Sequence, residues 1–253
     1  RKSGAGELKW NAGVATFALG SGGLIDLQDG VFRTGDNSNE VWTNNLADMH
    51  IASSATFRNL DSPVKFDALS GSGTFESGYG TDRDYVDFGV DGGSANFSGT
   101  LKDISSSISS TGKLSLVKYG SGIQTLSGTS TWTGDLYVRQ GTLKIADGAS
   151  VSGMRRIDIA GSANSGDLVA KLLVEGSVTS GDDGSFGVGS GVAGRGEVIV
   201  GNVDGDASLS IGNGQGYVYI GGKYHNVGTA GVGSLTINQG TVTVGAPGTT
   251  ATS

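Results

Sequence analysis

Short runs in which every second residue is apolar recur along the whole 253-residue chain, and most of them close on glycine. Five are alike: LIDLQDG (24–30), LSLVKYG (114–120), TLKIADG (142–148), SLSIGNG (208–214) and SLTINQG (234–240). Alternation at period two places the apolar set on one side, as a half-buried strand requires. The closing glycine permits a bend with positive φ that a Cβ would resist. From Gly184 to Gly245 the rhythm shortens to FGVG, EVIVG, SLSIGNG, YVYIGG, SLTINQG and TVTVG. Where regular, these steps are about nine to twelve residues apart, room for one strand and one turn. The pattern predicts an all-β chain of short strands and internal repeats, with no helix longer than about two turns.

Composition agrees. The 47 glycines are more than twice the usual share, too many for a helical protein, and they lack the collagen period. The net charge of −7 disfavours a non-specific nucleic-acid binder and adsorption to anionic lipid. With no cysteine, disulfides, zinc–thiolate sites and thiol nucleophiles are excluded. No run of about eighteen apolar residues offers a membrane-spanning helix, so no direct membrane insertion by this segment is expected. Arg1-Lys2-Ser3 leads into no apolar segment, and both ends read as cuts inside a longer protein, with 246–253 as a linker.

The run from Gly112 to Ile145, GKLSLVKYGSGIQTLSGTSTWTGDLYVRQGTLKI, resembles the autotransporter-associated β-strand repeat of bacterial surface proteins. Matched to that pattern, Leu116, Leu126, Val138 and Leu143 take inward positions. Gly120, Gly122, Gly128, Gly134 and Gly141 fall on its turn glycines, and Trp132 stands where Tyr is usual. Gln124 replaces an apolar residue and needs a hydrogen-bond partner if buried, and Leu136 replaces a common Thr. The 184–245 rhythm is similar to a repeat shared by type V secretion proteins and surface proteins of the PEP-CTERM type. The resemblance implies a right-handed parallel β-helix (β-solenoid), an elongated rod running through 1–253 as one segment of a longer protein. Coils of roughly 20–25 residues stacked at about 4.8 Å would give about ten coils and a length on the order of 50 Å. Asn and Thr at turns such as GNGQG and NQGT suit stacked polar ladders.

Gly35 to Gly71 holds no internal glycine, and 36–70 reads as a possible protruding insertion of longer strands. A short helix over Asn44–Ile51 is the alternative, and Trp42, Phe57 and Phe66 are expected to pack.

Catalytic constellations are sparse. Glycoside hydrolysis needs two carboxyl groups on one groove, and the adjacent pair Asp182-Asp183 sits in a GDDG segment that reads as a solvated turn. Arg155 and Arg156, adjacent on a strand, should point to opposite faces. His50 and His225, the only histidines, read as surface or turn residues. VDGDAS (203–208) and GDDGS (181–185) offer oxygen ligands for calcium, but Asp-Gly turns need no metal. No catalytic residue, metal or cofactor is expected. The best contact surface is Tyr217, Tyr219 and Tyr224, with His225 beside them. In YVYIGG the tyrosines face outward if Val218 and Ile220 face inward, and exposed tyrosines can stack on sugars or join a protein interface.

These readings converge on a non-enzymatic, adhesin-like passenger or stalk, extracellular or on the bacterial cell surface and attached to the outer membrane through a part outside this segment. A glycan or host-surface protein is the expected partner. A subunit that self-associates along the rod axis into a fibre is the alternative, and a polysaccharide lyase or hydrolase the weaker one.

Overall fold

A computed structural model of the chain describes residues 1–10, 16–35, 41–60, 62–78, 83–161, 169–191, 194–212, 217–221 and 231–245. These residues form strands, turns and no helix. Every strand pair among them is parallel, and the strands lie in one nine-stranded and one fifteen-stranded sheet. The chain visits them in rotation. Ile123–Leu126 lies in the nine-stranded sheet, Thr129–Thr131 in one row of the larger sheet, and Asp135–Val138 in its second row. Gly141–Ile145 then returns to the first sheet, one rung higher, against Ile123–Leu126. This is a parallel β-solenoid. Two long strands, Ser150–Ile159 and Ser177–Val188, run through both rows and join them into a single sheet.

Rung spacing is constant while coil length is not. One rung separates Thr56 from Thr74, and one rung also separates Ser208 from Thr241, which lie almost twice as far apart along the chain. The first coil is shorter than the expected range and the second longer. Ten rungs in the longest row make a stack about 45 Å tall at strand spacing.

Alternation decides which side chains fill the interior. Leu116, Leu126, Val138 and Leu143 are all buried, as are Trp132 and Leu136. Like residues stack on like: Phe32 on Phe57 at 5.5 Å between ring centroids, and Phe57 on Phe75 at 5.0 Å. Farther along the chain the interior turns aliphatic, with Leu143, Leu172 and Val198 in one column. One such column of several coils buries a continuous apolar surface that no single coil could bury alone.

Within 36–70, residues 41–60 and 62–70 do not form the expected protrusion, and 36–40 and 61 lie outside the described residues. Asp48–Ile51, Ala55–Asn59, Lys65–Phe66 and Leu69–Gly71 are ordinary rungs, and no helix forms over Asn44–Ile51. The reason is the aromatic content: Trp42, Phe57 and Phe66 are inward and fully buried, which ties the stretch to the stack. A polar ladder also passes through it, where Thr34 Oγ1 donates to Asn59 Oδ1 and Asn59 Nδ2 to Ser77 Oγ. Of the turns expected to carry such ladders, 213–216 of GNGQG lie outside the described residues.

At successive turns, Gly89, Gly120 and Gly141 all have positive φ, of 76°, 61° and 66°. A Cβ on Gly141 would overlap the Gly120 carbonyl, and one on Gly120 would overlap that of Gly89. Stacking as well as φ therefore demands glycine there.

Gln124 and Lys118 are polar side chains that point inward. Gln124 is 2% exposed, and its amide reaches two rungs down, past Ala95, to Leu69. Nε2 donates to the Leu69 carbonyl (2.8 Å) while Oε1 accepts from the Leu69 N–H (2.9 Å). The strands carrying Leu69 and Ala95 pair only at Phe97 and Gly71, so the glutamine satisfies backbone groups the ladder leaves open. Lys118 stacks between Phe88 and Val138. Its ammonium folds back onto the carbonyls of Tyr119 and Gly120. Burial drives its pKa down to about 8, with Asp67 opposing.

Candidate functional site

The outer face of the second row carries the site. There DLYV, RIDI, SFGV and YVYI align rung upon rung, with Leu136, Ile157, Phe186 and Val218 on the inner side. The intervening outward column runs Tyr137, Asp158, Gly187, Tyr219. Val218 and Ile220 stack on the buried Phe186 and Val188, which places the tyrosines outward as expected. At this last described rung of the row both aliphatics are themselves exposed, Val218 at 41% and Ile220 at 46%.

Gly187 leaves a gap in the column. Around it opens a groove of about 150 Å³, walled by Tyr217 and Tyr219 on one side and by Tyr137, Arg139, Arg156 and Asp158 on the other. The rings of Tyr217 and Tyr219 lie 5.8 Å apart at 32°, and Tyr217 is 59% exposed. Tyr224 and His225 lie outside the described residues.

The opposite wall is a connected polar structure. Arg155 grips buried Asp135 with two hydrogen bonds, at 3.0 and 2.8 Å, and the Tyr137 hydroxyl donates to the same carboxylate at 2.9 Å. Arg156 donates to the Tyr137 oxygen at 3.4 Å, and the Arg139 guanidinium lies 4.4 Å from the centre of the Tyr137 ring. Burial first, and the Asp135 charge second, push the Tyr137 phenol up to about 12. Asp158 presents a buried Oδ1 with no hydrogen-bond partner. Burial raises its pKa from the ordinary aspartate value, against the pull of Arg139 and Arg156.

Arg155 and Arg156 do not point to opposite faces. The strand Ser150–Ile159 slips register between Met154 and Arg156. This bulge turns two consecutive arginines onto one face, Arg155 to Asp135 and Arg156 to Tyr137.

Sequence reading does not single out Tyr137, Arg139, Arg156 and Asp158 as site residues. Aligning LYVRQG, IDIAG, FGVG and VYIG on their flanking apolar pairs puts Tyr137, Asp158, Gly187 and Tyr219 in one column, and that is the signal that could have found them. The bulge carries no such signal.

The other candidates are dispersed. His50 Nδ1 lies 3.1 Å from Ser70 Oγ on the nine-stranded sheet. Asp182 is exposed within Ser177–Val188, a strand and not the expected turn. Among the described residues no group of three or more acidic or histidine side chains could hold a metal ion.

Residues 116–145 match the family model described as the passenger-associated-transport-repeat. The chain carries an autotransporter passenger repeat. The repeat implies a passenger-type protein, surface-exposed, and the matched residues are the rungs from Leu116 to Ile145 described above. No curated protein and no solved structure matches the chain.

Proposed function

We propose that this part of the passenger is a non-enzymatic adhesive rod, displayed outside the cell and tethered to the outer membrane by a segment beyond it, whose outer face holds a glycan. The observation that carries the reading is the groove beside Gly187. The exposed ring of Tyr217, beside the half-buried Tyr219, offers an apolar face to a sugar ring, and neighbouring guanidinium and carboxylate groups offer polar partners to its hydroxyls. Binding without hydrolysis is favoured because Asp158 is the single carboxylate among the described residues of the groove lining, whereas the common glycosidases need two. Asp135, level with Arg156 on the neighbouring rung, is held by Arg155 and Tyr137.

The test is a glycan array together with a polysaccharide-degradation screen on the parent and on Tyr217→Ala/Tyr219→Ala. Retained glycans on the parent, lost from the variant, with no soluble oligosaccharide released, is the expected result. Release of product by the parent would overturn the non-enzymatic reading.

A further inference from the structure

Resting on that glycan reading, we infer that the groove selects a carboxylated sugar, a unit of the hexuronic-acid class, with Arg156 taking the carboxylate and Asp158 a ring hydroxyl.

The charge arrangement points there. Two guanidiniums, Arg139 and Arg156, and one carboxylate, Asp158, line the groove. Asp135 behind them is matched by Arg155 through a two-point contact, and Asp87, farther down the face, by Lys65 at 2.8 Å. Two guanidinium groups and one carboxylate thus line a concave site on a chain whose net charge is −7. Arg156 meets Tyr137 only at the long distance of 3.4 Å, which leaves its planar fork able to take a ligand carboxylate in a tighter, two-point contact.

Other ligand classes fit less well. Three tyrosines would suit a quaternary ammonium ion, but two guanidiniums in the same wall oppose any cation. A phosphorylated sugar would meet Arg156, yet brings about two negative charges toward Asp158; a sulfate ester carries one, as a carboxylate does, and the sulfated arm of the titration separates those two. A hexuronate carries one charge and several hydroxyls. One hydroxyl can donate to the Asp158 carboxylate that lines the groove. The groove volume of about 150 Å³ is well below that of drug-sized pockets and suits one sugar unit seated on the tyrosine pair.

The glycine in the floor makes room for this. A Cβ at Gly187 would come 3.0 Å from Ser190 Oγ and 3.4 Å from Asp158 Oδ1, so any larger side chain would occupy the groove. The position is outward, so a larger side chain there presses on Ser190 and Asp158 and points away from the apolar interior.

The experiment is calorimetric titration of the parent chain with oligomers of galacturonate, glucuronate and mannuronate, each against its own methyl ester, with sulfated and neutral galactose oligomers alongside. Ester and acid share ring geometry and hydroxyls and differ in charge. At least one acid should bind about ten-fold or more tighter than its ester, as expected for a charge-assisted two-point contact. Arg156→Gln should bring acid and ester within about two-fold of each other, and Gly187→Leu should abolish both, with circular dichroism and melting confirming that each variant is folded. An ester equal to or tighter than its acid, or a sulfated oligomer tighter than every hexuronate, would overturn the carboxylate assignment while glycan adhesion stands. Binding of no glycan at all by the parent would overturn both.

Discussion

Replacing Gln124 by leucine separates two ways of reading this fold. By the repeat pattern, an apolar residue is usual at that position, and the next rung up holds Leu143 directly opposite. On that basis Gln124→Leu should be neutral or stabilising, since burying a leucine side chain contributes about 1.5–3 kcal/mol. The structure gives the other sign. Without the amide, the Leu69 N–H and C=O lose their partners inside the stack, because the rung between Leu69 and Ala95 is open. Each orphaned buried group costs about 1–3 kcal/mol, together about 2–6 kcal/mol, before counting the weaker contacts to the Ala95 and Thr125 carbonyls. Set against the leucine gain, the balance is a loss of about 2 kcal/mol. Urea unfolding should show it as a lower midpoint at unchanged m, and amide hydrogen exchange should show Leu69 deprotected ahead of its neighbours. A variant with an equal or higher midpoint would refute the role assigned to Gln124.

Leu126→Asp, which puts an unpaired charge in the core, should cost at least about 4 kcal/mol and destabilise neighbouring coils too, as thermal melting and limited proteolysis would reveal. Gly141→Val should be strongly destabilising, because its φ is 66° and a Cβ there overlaps the Gly120 carbonyl; an unchanged melting temperature would remove the stacked-glycine account. Lys118 makes stability pH-dependent. Its folded pKa of about 8 lies below the ordinary 10.5, so between those values the unfolded chain holds a proton the folded chain has lost, and stability rises with pH by up to about 3 kcal/mol. The raised phenols of Tyr119 and Tyr137 act oppositely above about pH 10. Chemical denaturation at pH 7.5 and 9.5 should therefore show a gain in the parent that Lys118→Met lacks.

Much of the fold is legible in the sequence because period-two alternation and glycine punctuation are local signals. The repeat pattern puts Leu116, Leu126, Val138 and Leu143 inward, and all four are buried. Where the reading fails, long-range pairing overrides a local cue. The glycine-free stretch reads as a departure because turn signals are missing, yet buried Trp42, Phe57 and Phe66 hold it in register. Arg155 and Arg156 reach one face through a bulge, which depends on how Ser150–Ile159 meets Ser177–Val188, one coil later. The site is half legible. Two tyrosines in YVYI announce an outward aromatic pair, but the opposite wall comes from two and three coils earlier, and only a correct stacking register brings Asp158 and Tyr137 beside them.

The unequal coil lengths have a mechanical consequence. Thr56 to Thr74 and Ser208 to Thr241 each climb one rung, though the second takes far more chain to do so. How far such a protein stands off from a surface is therefore counted in turns of the chain and not in residues. Insertions between rungs can thicken the shaft or redecorate its flank without moving anything above them, whereas gain or loss of one whole coil shifts everything beyond it by about 4.8 Å. Variation in surface chemistry and variation in height are thus independent, and a lineage could alter what the groove holds while keeping the distance at which it is presented.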